Sequence, residues 1–388
     1  MIMKTNAPRH ILIFISSLAS GGAERVTSHL ANHWARNGSR VTVVTLSDGS
    51  DDFYQLSPAV RRIAMGMVRE SVDLRSGIRS NMHRVLGLRR VLRQERPEIA
   101  LAMMDEANIL LAMAAFGLPG TVALGSERIH PPRVSIDWWW AGLRRLWYRR
   151  LAAIVALTSE SRDWLSTHVR CKELAVIPNG VPWPLPAHEP LHLPQTVIAT
   201  GRKIVLAVGR LNEQKGFDLL IEAFARMATQ YPGWDLIVLG EGPLREALAN
   251  QIREHGLEER IHLLGRVGNV GDWYLAADLY VMSSRFEGFP NTLVEALAYG
   301  LPAVSFDCDT GPRDIIRHGM DGLLVPAGDV AALVGALSRL MNDEPLRRQF
   351  AARAVDARER YSIEKVAGMW DSLFEELGAY KAVRRTRF

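Results

Sequence analysis

The chain has 388 residues, 48% of them hydrophobic and 23% charged, enough for two domains of ordinary size, each with its own core. No apolar run reaches the about 18–20 residues that a transmembrane helix needs, and the first ten residues lack a signal-peptide pattern. Net charge is +5, but residues 1–185 hold 24 Lys and Arg against 15 Asp and Glu, whereas the remainder holds 23 against 27. A first half at +9 joined to a second at −4 implies that one domain alone faces something anionic.

Short apolar, β-branched runs alternate with helical patterns from the start. Strands are expected over 11–16, 41–46, 99–104, 122–126, 154–158 and 175–178, with helices over 23–37, ended by Gly38, and 79–95, ended before Pro97. Near-continuous apolar strands separated by helices predict a parallel sheet covered on both faces. Five prolines between Val181 and Gly201 break the pattern, so 182–201 reads as an interdomain linker. The alternation restarts over 204–209, 236–240, 261–265, 279–283, 303–306 and 323–326. The expected fold is α/β, two doubly wound Rossmann-like domains (1–185 and 202–365) facing a central cleft, with a terminal helix over 366–388 returning toward the first. Cys171 and Cys308 lack metal-ligand spacing and read as free thiols.

The richest stretch is FEGFPNTLVEALAYGLP, residues 286–302. Gly288 lets the chain approach a ligand, and Asn291 is expected to cap a helix whose first N–H groups suit a diphosphate. Glu287 and Glu295 frame that site with carboxylates able to accept from sugar and ribose hydroxyls. Arg210 directly follows a strand and Lys215 sits five residues on, two cations able to neutralise a departing diphosphate in place of a metal. The loops Gly240-Glu241-Gly242-Pro243 and Gly265-Arg266-Val267 end two further strands, each a weak signal alone.

VGRL at 208–211, Lys215-Gly216, GEGPL at 240–244, LGR at 264–266 and EGFPNTLVEALAYGLP at 287–302 resemble the retaining glycosyltransferases of family 4, which have the GT-B fold. The pair Glu287 and Glu295 matches that family's E-x7-E signature, and SGGAER at 20–25 resembles its first glycine loop. The likeness spans nearly the whole chain and is greatest to bacterial enzymes that extend lipid-linked oligosaccharides or exopolysaccharide repeat units. The resemblance implies that Arg210 and Lys215 hold the diphosphate, with backbone donors from Asn291, Thr292 and Leu293. It implies that Glu287 orients the sugar, Glu295 the ribose, and Arg266 with Val267 borders the base. Gly288, Phe289 and Pro290 complete the donor loop, and Gly21 and Gly22 bring the first domain's helix against the donor. Many members place a histidine where Gly125-Ser126-Glu127-Arg128 runs here, so Arg128 or His130 takes that place, on the acceptor side with Asp105.

Asp307-Cys308-Asp309 spells the D-x-D that binds a metal in a different glycosyltransferase fold; it follows a strand and leads into a turn, and no metal or other cofactor is expected. Residues 133–151, RVSIDWWWAGLRRLWYRRL, interleave aromatics with arginines and suit an anionic lipid surface through Trp138, Trp139, Arg144, Arg145, Trp147 and Arg149. The segment from Arg69 to Arg96 adds eight arginines. A helix with its tryptophans in the core is the competing reading, and no nucleic-acid-binding module is recognisable. The expected location is cytoplasmic, peripheral on the inner face of the membrane.

The expected activity is retaining transfer of a sugar (GalNAc, Gal, GlcNAc or Glc) from a nucleotide diphosphate donor, UDP by resemblance, to a lipid-linked saccharide. The alternatives are a sugar-nucleotide 2-epimerase, or a non-catalytic sugar-nucleotide-binding protein at the membrane.

Overall fold

The computed structural model describes residues 9–19, 21–67, 74–133 and 137–385. Ser20 of the glycine loop, Arg69 of the arginine-rich segment and residues 134–136 ahead of the tryptophans lie outside the described residues. The chain divides into two compact units. The first takes the residues up to Gly180 together with those from Ile363 onward, and the second is Val181–Ser362.

The first unit is built on strands β1 (His10–Ile15), β2 (Arg40–Thr45), β3 (Val60–Ala64), β4 (Ile99–Met103), β5 (Val122–Ser126), β6 (Ala153–Ala156) and β7 (Leu174–Val176). They lie in the order β3-β2-β1-β4-β5-β6-β7, and every pairing is parallel. Central strands such as β1, HILIFI, are buried on both faces, which a parallel sheet sandwiched by helices requires. The connections are α1 (Gly22–Arg36), α2 (Leu74–Glu95), α3 (Asp105–Ala115), α4 (Trp138–Trp147) and α5 (Ser159–His168). Helix α1 buries Val26, Leu30, Ala31 and Trp34, spaced along one face. A valine or leucine side chain taken fully from water contributes about 2 kcal/mol.

The second unit repeats the scheme with β8 (Lys203–Val208), β9 (Trp234–Leu239), β10 (Ile261–Gly265), β11 (Leu279–Met282), β12 (Ala303–Asp307) and β13 (Gly322–Pro326). Their order is β10-β9-β8-β11-β12-β13, again all parallel. The helices are α6 (Phe217–Met227), α7 (Arg245–Glu254), α8 (Val270–Ala276), α9 (Asn291–Ala298), α10 (Pro312–Ile315), α11 (Val330–Asn342), α12 (Glu344–Ala354) and α13 (Ala357–Arg360). The last helix, α14 (Ile363–Arg385), belongs to the first unit, where Phe374 packs 5.7 Å from the Trp34 ring of α1.

Two features differ from the sequence expectation. Strand β3 was not foreseen: VRRIA carries two adjacent arginines, which point to opposite faces, and at the sheet edge Arg61 reaches Glu95 while Arg62 reaches Asp52. The proline-rich stretch expected as a linker is bonded onto the second unit. His188 N–H donates to the Gly268 carbonyl at 3.2 Å and Gly268 N–H to the Pro190 carbonyl at 2.7 Å. His192 N–H reaches Asn269 Oδ1 at 2.9 Å, and the Trp273 indole N–H donates to the His192 carbonyl at 2.9 Å. Prolines forbid regular structure there, but the remaining backbone groups still find partners.

Candidate functional site

In the second unit, the chain leaves β8 through Gly209 and Arg210 and makes a short turn at Glu213–Lys215. Gly216 ends that turn in the left-handed region, φ 61°, and a Cβ there would lie 2.2 Å from the Ser283 carbonyl oxygen. Only glycine allows this approach, which lays the turn against the loop after β11. Ser283 Oγ donates to the Lys215 carbonyl at 3.0 Å, Gln214 Nε2 to the Phe286 carbonyl at 3.0 Å, and Arg285 N–H to the Gln214 carbonyl at 2.8 Å. The Arg285 guanidinium then grips Asp218 at 2.6 and 2.9 Å, and that bond holds the Asp218 carboxyl below the usual carboxylate range.

This seam brings together two of the residues singled out from the sequence. Lys215 Nζ lies 2.5 Å from Glu287 Oε1, and Ser284 Oγ donates to the same oxygen at 2.6 Å. Glu287 is 6% exposed, so its carboxylate is held in a fixed position by a lysine and a hydroxyl. Thr310 Oγ1 donates to the Glu287 carbonyl at 2.6 Å and fixes the backbone from the other side. Gly311, φ 96°, keeps that contact possible, because a Cβ would lie 2.6 Å from Pro290 Cδ. Arg210 and Arg266 are exposed, and neither guanidinium bonds to another described residue; the Arg210 carbonyl accepts from the Asn212 N–H at 2.8 Å. The loop thus carries one carboxylate with a paired lysine beside it, and an exposed cation, Arg210, sits at the strand end.

Helix α9 starts one residue earlier than expected: its N-cap is Pro290, not Asn291, which sits in the first turn. Pro290 has no side-chain acceptor, and its carbonyl takes the Leu293 N–H at 3.1 Å. Leu293 therefore presents no backbone donor to a ligand, contrary to the expectation. Thr292 is anchored through Oγ1, which accepts from the Tyr280 hydroxyl at 2.9 Å. Glu295, 3% exposed, accepts from the Tyr274 hydroxyl at 3.1 Å on Oε2. Phe289 is buried against the Tyr361 ring, 5.6 Å away, and Val267 is buried too; both build the loops that carry Glu287 and Arg266. Asp307 of the D-x-D is bonded by Arg313 Nε at 2.9 Å. Among the described residues, no three His, Cys, Asp or Glu side chains gather as metal ligands.

The sequence reading missed Ser284, Thr310, Tyr274 and the Arg285–Asp218 clamp. Ser284, three residues before Glu287, was the one local signal.

The first unit holds the other candidates. Gly21 precedes α1, and a Cβ on it would fall 2.1 Å from Glu24 Oε2, so the Glu24 carboxylate folds back over the helix N-terminus. Gly22 is the first helical residue, and burial pushes the Glu24 carboxyl upward. Asp105 opens α3, after Met104 at φ 88°. Arg128 is buried, as is His130, whose Nδ1 lies 2.9 Å from Ser161 Oγ at the start of α5. Glu127 is 4% exposed, and burial pushes its carboxyl up to about 7 although the Tyr148 hydroxyl donates to Oε1 at 2.5 Å.

In α4 the aromatic and basic residues separate. Trp138 is 87% exposed, with Arg145 and Arg149 exposed nearby, whereas Trp139 stacks on the buried Trp140 at 4.5 Å. Trp147 is half-buried, its ring 5.9 Å from that of Phe116. Arg144, expected at the surface, is 7% exposed, its guanidinium 5.0 Å from the Trp164 ring, and so cannot contact a membrane. Its helix position points inward, a phase that the run of aromatics hides in the sequence.

Residues 20–182 match the family described as Glycosyltransferase Family 4, and residues 189–356 match Glycosyl transferases group 1. Over 228 residues, 58% of this chain, it is 39% identical to an exopolysaccharide phosphotransferase of Streptomyces coelicolor, but the aligned part spans 23% of that protein. It is 28% identical to the amylovoran biosynthesis glycosyltransferase AmsD of Erwinia amylovora, covering 94% of this chain and 99% of that one. A Campylobacter jejuni protein, GalNAc-alpha-(1->4)-GalNAc-alpha-(1->3)-diNAcBac-PP-undecaprenol alpha-1,4-N-acetyl-D-galactosaminyltransferase, is 26% identical over 95% of this chain and 98% of its own. The structure of Anabaena HepE in complex with UDP and glucose superposes with a TM-score of 0.76 at 20% identity, covering 95% of this chain and all of that one, which bears on the fold alone. Two parallel doubly wound units with these matches define a glycosyltransferase of the GT-B type. Its first unit is similar to glycosyltransferase family 4 and its second to the glycosyl transferases of group 1.

Proposed function

We propose that the protein is a retaining transferase that moves a hexose or N-acetylhexosamine from a UDP-sugar to a saccharide carried on a lipid diphosphate. The observation that carries this reading is the Lys215–Glu287–Ser284 arrangement, 2.5 and 2.6 Å at one carboxylate oxygen, beside the exposed Arg210. A lysine and an arginine at the end of β8 offset the charge that builds on the departing diphosphate, so the chemistry needs no metal. Glu287 accepts from a sugar hydroxyl and orients the ring, and Glu295, set by Tyr274, accepts from the ribose. The acceptor hydroxyl attacks the anomeric carbon on the face the diphosphate leaves, and the leaving phosphate oxygen takes its proton.

Assembly of a lipid-linked or exported polysaccharide is supported by the names of AmsD and the Campylobacter transferase, and UDP follows from the motif resemblance. Among the described residues no helix is long and apolar enough to cross a membrane. The exposed Trp138 with Arg145 and Arg149 supports peripheral binding to an anionic inner leaflet. Transfer with the purified chain, a UDP-sugar and a lipid-diphosphate saccharide, with and without EDTA, tests the reading. The NMR coupling of the new anomeric proton should show the donor's configuration, with EDTA having no effect. An inverted product, or loss of turnover with EDTA, would overturn retention or metal independence respectively.

A further inference from the structure

A second group of buried polar side chains lies in the first unit, at the carboxyl end of β5. Glu127, Tyr148 and Asn108 satisfy one another on one side of the sheet. Tyr148 donates to Glu127, and Asn108 Nδ2 lies 3.1 Å from the Tyr148 oxygen and donates to the Ser126 carbonyl at 3.2 Å. The backbone keeps its strand course through Glu127, whose N–H still donates to the Val155 carbonyl at 2.8 Å. Strand β5 ends at Ser126, and Arg128 follows two residues on; both side chains are buried.

These two lack partners. Ser126 is fully buried and its Oγ meets no hydrogen-bonding group among the described residues. Arg128 is 7% exposed, and its Nε and both terminal nitrogens are likewise unpartnered. Burial alone depresses its pKa to about 9, so it remains charged at neutral pH. A dehydrated guanidinium without a counterion costs several kcal/mol, and folded proteins pair such groups. Two residues of chain span at most about 7 Å, within reach of one ligand for a long arginine. A fork of N–H donors plus a hydroxyl, with no acceptor between them, matches the terminal oxygens of a phosphoryl group. The adjoining backbone is strained: Met104, whose N–H donates to the Ser126 carbonyl at 2.9 Å, holds φ 88°.

We propose that Ser126 and Arg128 form a phosphoryl-binding site in the first unit, filled by a diphosphate oxygen of a substrate. The choice of substrate rests on the glycosyltransferase reading, and two sources share this chemistry: the acceptor's lipid diphosphate and the donor's nucleoside diphosphate. The first probe is inorganic pyrophosphate, titrated calorimetrically into the full chain and its Arg128→Met and Ser126→Ala variants. Arg128→Met removes an unpaired buried charge and keeps the volume, so it should melt no lower than the wild type. The proposal expects it nonetheless to lose one class of pyrophosphate sites, or at least tenfold in affinity, with a smaller loss in Ser126→Ala.

Steady-state kinetics with Arg128→Lys then separates the sources. A tenfold rise in acceptor KM with donor KM unchanged assigns the lipid diphosphate, and the converse assigns the nucleotide. Wild-type pyrophosphate binding and unchanged KM values in every variant would overturn the site. Absence of sugar transfer by the wild type would instead sink the glycosyltransferase reading, while the pyrophosphate titration would still decide the site.

Discussion

Lys215 and Glu287 meet at 2.5 Å across 72 residues of sequence, and Ser284 closes on the same carboxylate oxygen. Removing one member of a buried pair strands the other, at about 3–5 kcal/mol. Lys215→Ala should therefore lower the melting temperature as well as activity, whereas Lys215→Ala/Glu287→Ala should recover part of the stability without recovering turnover. A thermal-melt double-mutant cycle checks this; additive losses would mean that the pair is not coupled.

The Arg285–Asp218 clamp holds the Glu287 loop against the Lys215 turn. Because the folded Asp218 carboxyl titrates below its unfolded value, its contribution is present above that value and disappears as pH falls through the folded one. Wild-type stability should thus drop in acid below about pH 4 more steeply than that of Asp218→Asn, measured by urea melts at several pH values. Equal slopes would show that the clamp contributes nothing.

Glu127 has the opposite sign. Its folded carboxyl is raised to about 7, so stability falls as pH climbs from the ordinary carboxylate range to 7, and the penalty persists above that. Glu127→Gln removes the ionisable group and should flatten the profile between pH 5 and 7, gaining up to about 3 kcal/mol at pH 8. A Gln variant as pH-dependent as the wild type would exclude Glu127 as the titrating group.

Much of the fold was legible because parallel strands buried on both faces are continuous apolar runs, as in HILIFI of β1 and WDLIVL of β9. The edge strand VRRIA broke that rule and stayed hidden. In the site, Glu287, Glu295, Arg210 and Lys215 stood out through their motif. Tyr148, Asn108 and Glu127, separated by 21 and 40 residues in their pairings, leave no local period to read. The unexpected cap at Pro290 and the inward turn of Arg144 are matters of helix phase, which one residue of shift reverses.

Trp138, 87% exposed beside Arg145 and Arg149, should mediate vesicle binding. Each surface arginine is worth about 1 kcal/mol near anionic lipid, so Arg145→Ala/Arg149→Ala should weaken binding to phosphatidylglycerol vesicles roughly 30-fold at low salt. Trp138→Ala should weaken it further with less salt dependence. Co-sedimentation equal to wild type in both variants would remove α4 from the membrane face.

The central claim is that the Lys215–Glu287 site transfers a sugar, and nucleoside diphosphate release tests it most directly. The wild type, offered a panel of UDP- and GDP-sugars, should release UDP from one donor only when a lipid-diphosphate saccharide is present, with kcat/KM falling at least 100-fold in Arg210→Ala and Glu287→Ala. Acceptor-independent conversion of the sugar nucleotide to an isomer, or near-full transfer by Glu287→Ala, would contradict it.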